Sequence, residues 1–202
     1  MIKKIVLLAI LLMSVLVNES YAAISEDVVK DSIVKHSVEM GVDPALALSI
    51  AKKESGFKHE LKSPYGAVGV FQVLPSTAKK IGYNPYYLND NIKAGLTYYK
   101  MMYKMFGSTE LALAAYNAGP GNVKKYGGTI PPFKETRRFV NVIMQDYMHL
   151  KNNPDPAIAK YTNKKVIAPE KEVEIKTSKP VEMPEVKEIP ETRQSESVME
   201  IL

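Results

Sequence analysis

The chain has 202 residues, a length that suits one domain with extensions. Hydrophobic residues at 46% and charged residues at 24% exclude global disorder, and the absence of Cys excludes disulfide scaffolds, thiolate metal sites and cysteine nucleophiles. A net charge of +5 favours an anionic partner, without separating nucleic acid, lipid surface and cell wall.

In chain order, Lys3 and Lys4 precede thirteen uncharged residues, Ile5 to Val17, followed by Asn18-Glu19 and then Ser20-Tyr21-Ala22. This order predicts a secretory signal peptide over residues 1–22, cut after Ala22. Thirteen residues fall short of the roughly 20 that span a bilayer, so an uncleaved anchor is the weaker alternative. No Cys follows the run, which excludes a lipoprotein. The expected location is therefore outside the cytoplasm, in the periplasm or associated with the envelope.

Residues 23–151 read as one mainly α, compact helical domain with a small β-like segment. Ser25 is positioned to cap a helix carrying Val29, Ile33, His36 and Met40 on one face and stopping at Gly41. Asp43 caps the second, with Pro44 in its first turn, Leu46, Ala47, Ile50 and Ala51 on one stripe, and an end before Gly56. A third runs from about Asn91 to Phe106. Ser108 opens a fourth that reaches Ala118 and is broken by Gly119-Pro120-Gly121. A fifth follows Pro131-Pro132 and uses Val140, Ile143, Tyr147 and Leu150. Ala67 to Leu74 is the strand-like piece, and no internal repeat is visible.

Residues 152–202 read as a disordered tail, because the 49 residues from Pro154 hold six Pro, 18 charges and one aromatic, Tyr161. The alternative is a segment that docks an envelope or secretion-machine partner, with Val198 to Leu202 as its anchor. The positive charge lies in the domain, where residues 23–150 hold 16 Lys or Arg against 11 Asp or Glu.

Within the second helix, Glu54 lies four residues after Ile50 and eight after Leu46, so it projects from the apolar face. The negative end of the helix dipole and partial burial both disfavour its ionisation. A carboxylic acid still protonated near neutral pH is what glycosidic cleavage requires, because the leaving oxygen must gain a proton. By position alone, a Glu that reaches solvent or pairs with a Lys is the commoner case.

The neighbourhood adds to this. Lys53-Glu54-Ser55-Gly56-Phe57, Gly66-Ala-Val-Gly-Val-Phe-Gln72 continuing into Pro75-Ser76-Thr77-Ala78, Ala115-Tyr-Asn-Ala-Gly119 and Glu135-Thr136-Arg137-Arg138-Phe139-Val140 follow in order. Together they resemble the catalytic domain of lytic transglycosylases, a goose-type-lysozyme-like family, over roughly residues 30–148. The resemblance implies a lysozyme-like fold and Glu54 as the single catalytic acid and base. It also implies that Ser55, Gly66, Gly69, Gln72, Tyr116 and Asn117 serve glycan binding, the Tyr116 hydroxyl by orienting the acid and the Asn117 amide by meeting a sugar. Glycines let backbone approach a sugar, and a Gln amide both donates and accepts, so the residue types suit these roles. A plain turn and core residues are the alternative reading of the same positions.

Two departures stand out. Phe71 occupies the family's Met position and is expected to alter only the wall of the groove. Phe139 occupies its Tyr position, which removes a hydroxyl near the acid, and is expected as core below the site.

The implied substrate is the peptidoglycan glycan strand, and the implied reaction closes a 1,6-anhydro ring on N-acetylmuramic acid without water. Two carboxylates would suit a hydrolase, and Glu60, Asp90, Glu110 and Glu135 lie outside the sugar-binding motifs. A hydrolytic muramidase on the same fold and a non-catalytic wall-binding scaffold stay open. No metal or cofactor is expected, since His36, His59 and His149 are dispersed. Nor is nucleic acid, for want of any recognised motif.

Overall fold

The computed structural model describes residues 24–167, with side chains through Tyr161. The expected leader and the chain beyond residue 167 lie outside the described residues. The fold is mainly helical, as the sequence predicts: α1 (Glu26–Glu39), α2 (Pro44–Ser55), α3 (Pro75–Lys80), α4 (Leu88–Phe106), α5 (Thr109–Ala118), α6 (Pro120–Lys125), α7 (Lys134–Asn152) and α8 (Pro156–Ile167).

The centre is α2. Its seven residues Ala45 to Ala51 are all buried, so the helix is covered on every side rather than along one stripe. It packs against α7 and α1; α5 packs against α4 and α7. The Asp43 carboxylate accepts a hydrogen bond from the Ala45 amide at 2.9 Å, which caps the helix as expected. Asp43 also accepts from Lys151 at 2.9 Å and from the Tyr147 hydroxyl at 3.1 Å, tying the end of α7 to the start of α2. Burial alone would raise the Asp43 pKa, but these bonds, that from Lys151 foremost, hold it below the usual carboxylate value.

Several expectations shift. Helix α4 starts at Leu88 rather than Asn91, because Leu88 packs on the core ahead of the polar Asn89-Asp90. Pro120, read as part of a break, instead opens a short helix at a position where a missing N–H is harmless, and Pro75 opens another that the periodicity did not indicate. The strand-like segment forms no strand. It is a loop with two isolated antiparallel bridges, Lys62 to Val68 and Val68 to Val73.

The expected tail also begins too early. Residues 156–167 form α8, packed on α1, with Ala157 buried and Ile158 and Tyr161 against the core. Lys30 pairs with Asp155 at 3.2 Å, and Lys160 pairs with Asp31. Residues 156–167 carry one Pro, in the first turn, and three charges, so the average over 49 residues hid a helix.

Candidate active site

Glu54 sits in the last turn of α2, one residue before its end at Ser55, and Gly56 caps the helix with φ +59°. Its neighbours Ala51 and Ser55 are buried, while Glu54 itself is only partly exposed. No hydrogen bond holds its carboxyl among the described residues. Burial is the main force on this group; the nearby Lys53 cation opposes it and the Glu135 carboxylate adds to it. The net result pushes the Glu54 pKa up to about 8. The carboxyl is therefore protonated at neutral pH and carries an uncommitted proton.

The loop after α2 is pinned from below by Asn91, a fully buried residue of α4. Its Nδ2 donates to the carbonyls of Val68 at 2.8 Å and Pro85 at 3.1 Å, and its Oδ1 accepts from the Phe71 amide at 2.9 Å. Gly69, with φ +77°, lies directly over it: a Cβ there would come within 2.4 Å of the Asn91 amide. Gly66, with φ +83°, closes the outer turn by donating to the Ser63 carbonyl at 3.0 Å, and open space surrounds it. Gln72 is held at φ +44°, a left-handed conformation uncommon for a side-chain-bearing residue. Its Nε2 donates to the Gly69 carbonyl at 2.9 Å and the Leu61 carbonyl at 3.1 Å, and among the described residues its amide oxygen has no hydrogen-bond partner. Strain of this kind, fixed by its surroundings, is concentrated at functional sites.

The Ser55 hydroxyl is buried and donates to the Val70 carbonyl at 2.8 Å, so it joins the acid's helix to the loop. The structure gives it no free contact for a sugar. Phe71 is wholly buried, not a groove wall; its ring rests on Gly95 of α4, where a Cβ would approach to 2.4 Å.

From α5, the Tyr116 hydroxyl donates at 2.8 Å to the Phe71 carbonyl rather than to Glu54. Burial raises the Tyr116 pKa first, and the charge of nearby Glu54 raises it further, which keeps the phenol neutral. Asn117 is exposed, and its side-chain oxygen accepts from the buried Thr136 hydroxyl of α7 at 2.8 Å, so its NH₂ is left to donate outward. Phe139, as expected, is core: its ring stacks near-parallel on Tyr116 at 6.5 Å. Lys53 Nζ lies 5.5 Å from the Phe139 ring centroid and 3.9 Å from Glu135 Oε1.

The predicted residues thus come together from three elements. Glu54 and Ser55 come from α2, Gly66, Gly69 and Gln72 from the pinned loop, and Tyr116 and Asn117 from the end of α5. Asn91, Thr136 and Lys53 were not picked out from the sequence as site residues; the first two fix the loop and Asn117, and the third is a charge beside the acid. A groove of about 510 Å³ between α2 and α7 includes Lys53 but not Glu54. Among the described residues no group of three or more His, Asp or Glu is placed to hold a metal ion, and no helix is long and apolar enough to cross a membrane.

Comparison with known proteins places this arrangement. Over 130 residues the chain is 35% identical to the soluble lytic murein transglycosylase of Escherichia coli K12, covering 52% of this chain and 20% of that protein. It is 27% identical over 129 residues to a transglycosylase of Enterobacteria phage PRD1, covering 63% and 46%. The chain therefore spans less than half the length of these relatives. Its fold is similar to the crystal structure of the 70 kDa soluble lytic transglycosylase of E. coli, with TM-score 0.55 and 29% identity over 63% of this chain and 25% of that one. It is similar as well to an inactive Glu-to-Gln mutant of the lytic transglycosylase Slt of Pseudomonas aeruginosa, with TM-score 0.54 and 28% identity over 62% and 25%. Residues 31–137, from α1 to the first turn of α7 and including every residue of the site, match the transglycosylase SLT domain, and the chain belongs to that family.

Proposed function

We propose that the protein is a peptidoglycan lytic transglycosylase acting on the bond between N-acetylmuramic acid and N-acetylglucosamine, exported to the cell envelope. The observation that carries this reading is Glu54: a protonated, partly exposed carboxyl with no hydrogen-bond partner among the described residues, beside a strained, pinned loop. Catalysis needs an acid whose pKa lies near the working pH and whose proton is not already shared.

In the first step Glu54 gives its proton to the glycosidic oxygen as the bond from muramyl C1 breaks. The muramyl acetamido oxygen supports the positive charge that forms at C1. The Glu54 carboxylate then takes the proton of the muramyl 6-hydroxyl as that oxygen bonds to C1. The proton lost in the first step is regained in the second, and no water is consumed. In this reading the Gln72 amide oxygen and the Asn117 NH₂ meet the sugars, while Ser55, Gly69 and Tyr116 fix the backbone that presents them.

One observation favours a second reading: the charge of Glu135 acts on Glu54, so the acid has a second carboxylate in its neighbourhood, as a hydrolase requires. Mass spectrometry of sacculi digested by the purified protein separates the two. Transglycosylation releases muropeptides ending in 1,6-anhydro-N-acetylmuramic acid; hydrolysis releases reducing ends heavier by one water. Reducing ends alone overturn the transglycosylase reading.

A further inference from the structure

Among the described residues few titratable groups act on Glu54. Lys53 comes from its own helix, Glu135 from α7 and Tyr116 from α5, with Tyr98 of α4 behind Tyr116 at a ring separation of 5.2 Å. The loop from Gly66 to Gln72 contributes no titratable side chain. Burial keeps both phenols neutral, Tyr98 at about 12 and Tyr116 well above its ordinary value. The charges that can answer a change of charge on Glu54 are therefore Lys53 and Glu135.

Their geometry suits that task. The 3.9 Å between Lys53 Nζ and Glu135 Oε1 is the loose limit of an ion pair, so the ammonium is not locked onto its partner. Its position is instead set by the buried Phe139 ring beneath it, at 5.5 Å. Lys53 is about a quarter exposed and Glu135 about half, so their fields reach a desolvated neighbour with moderate screening.

We infer that Lys53 and Glu135, with Phe139 as the seat of the ammonium, form a positioning pair for the reaction, which balances the acid and carboxylate forms of Glu54. This rests on the reading of Glu54 as the acid. When Glu54 gives up its proton, a new negative charge forms in a site that burial makes hostile to it, and the Lys53 field stabilises that charge. Glu135 opposes it by its own charge, and so favours return of the proton. Neither residue touches the bond being broken; both act through Glu54.

The test titrates the Glu54 carboxyl in the whole protein by ¹³C NMR, its signal assigned by loss in Glu54→Gln, alongside the pH profile of sacculus solubilisation. Lys53→Met should raise the midpoint and the alkaline limb by about one pH unit, and Glu135→Gln should lower both. Lys53→Arg, which keeps the cation, should stay near the wild type. Midpoints that do not move, or that move in the same direction in Lys53→Met and Glu135→Gln, overturn the proposal. If Lys53→Met does not fold, Glu135→Gln alone decides, by a midpoint that falls or does not. Opposite shifts in a protein whose Glu54→Gln variant stays fully active would uphold the pair's control of Glu54 and reject Glu54 as the acid, so the two claims fail separately.

Discussion

The Tyr116 hydroxyl donates to the Phe71 carbonyl at 2.8 Å, across 45 residues of sequence. This bond fixes the end of α5 against the loop one residue before Gln72. Phe71 is gripped from its amide as well, by Asn91. The backbone that presents Gln72 is thus held from two helices, while Ser55 fastens the same loop to the helix of the acid. A site that must place a sugar bond against one proton donor gains from such rigidity, since small displacements of a reacting group are costly in rate.

Asn91 is accordingly the residue whose loss should do most damage outside the acid. Asn91→Leu leaves two carbonyls and one amide without their partners in the interior, at roughly 3 kcal/mol in total. A fall in Tm of roughly 10 °C is expected by calorimetry. Gly69→Ala, which drives a Cβ into the same amide, should fall in the same direction. A Tm unchanged in both variants would contradict the role of the Asn91 pin.

The pH dependence of stability carries the signature of Glu54. Its folded pKa, about 8, lies above its ordinary value of 4.5, so the unfolded chain releases this proton first. The folded state is favoured by this group below pH 4.5, and that advantage is lost as pH rises through about 8. Glu54→Gln has no proton to lose there. The Tm of Glu54→Gln minus that of the wild type should therefore grow between pH 5 and pH 8. A constant difference would mean that the folded carboxyl titrates normally.

Truncation tests the boundary of the domain. Cutting after Asn153 removes α8 with the buried Ala157 and the ion pairs of Asp155 and Lys160, and should lower Tm by roughly 4–8 °C. Cutting after Ile167 keeps α8 and should give a Tm higher than cutting after Asn153 by that amount. Equal Tm values for the two truncations would show that α8 adds nothing to the domain.

What could be read from the sequence follows from the range of each interaction. Asp43-Pro44 announces α2 because cap and first turn are adjacent, and Glu54 stands out because its spacing from Leu46 and Ile50 is local. The same signal was present and unread at Asp155-Pro156: the Asp155 carboxylate accepts from the Ala157 amide at 2.9 Å, as Asp43 does from Ala45. Averaging over the whole Pro-rich segment concealed it. Asn91 was illegible for a different reason. It follows Asn89-Asp90, a run that reads as turn or cap, and its three partners lie 6 to 23 residues away along the chain. The Tyr116 hydroxyl was expected to orient the acid, and only the fold shows that a backbone carbonyl claims it.

The most direct measurement is the turnover of Glu54→Gln on isolated sacculi near pH 6, where wild-type Glu54 is protonated. Gln keeps the shape of the side chain and its hydrogen-bonding capacity but has no proton to give the leaving oxygen. The account predicts a folded protein that still binds glycan, with turnover at least about a hundredfold below wild type. Full activity in Glu54→Gln would contradict it.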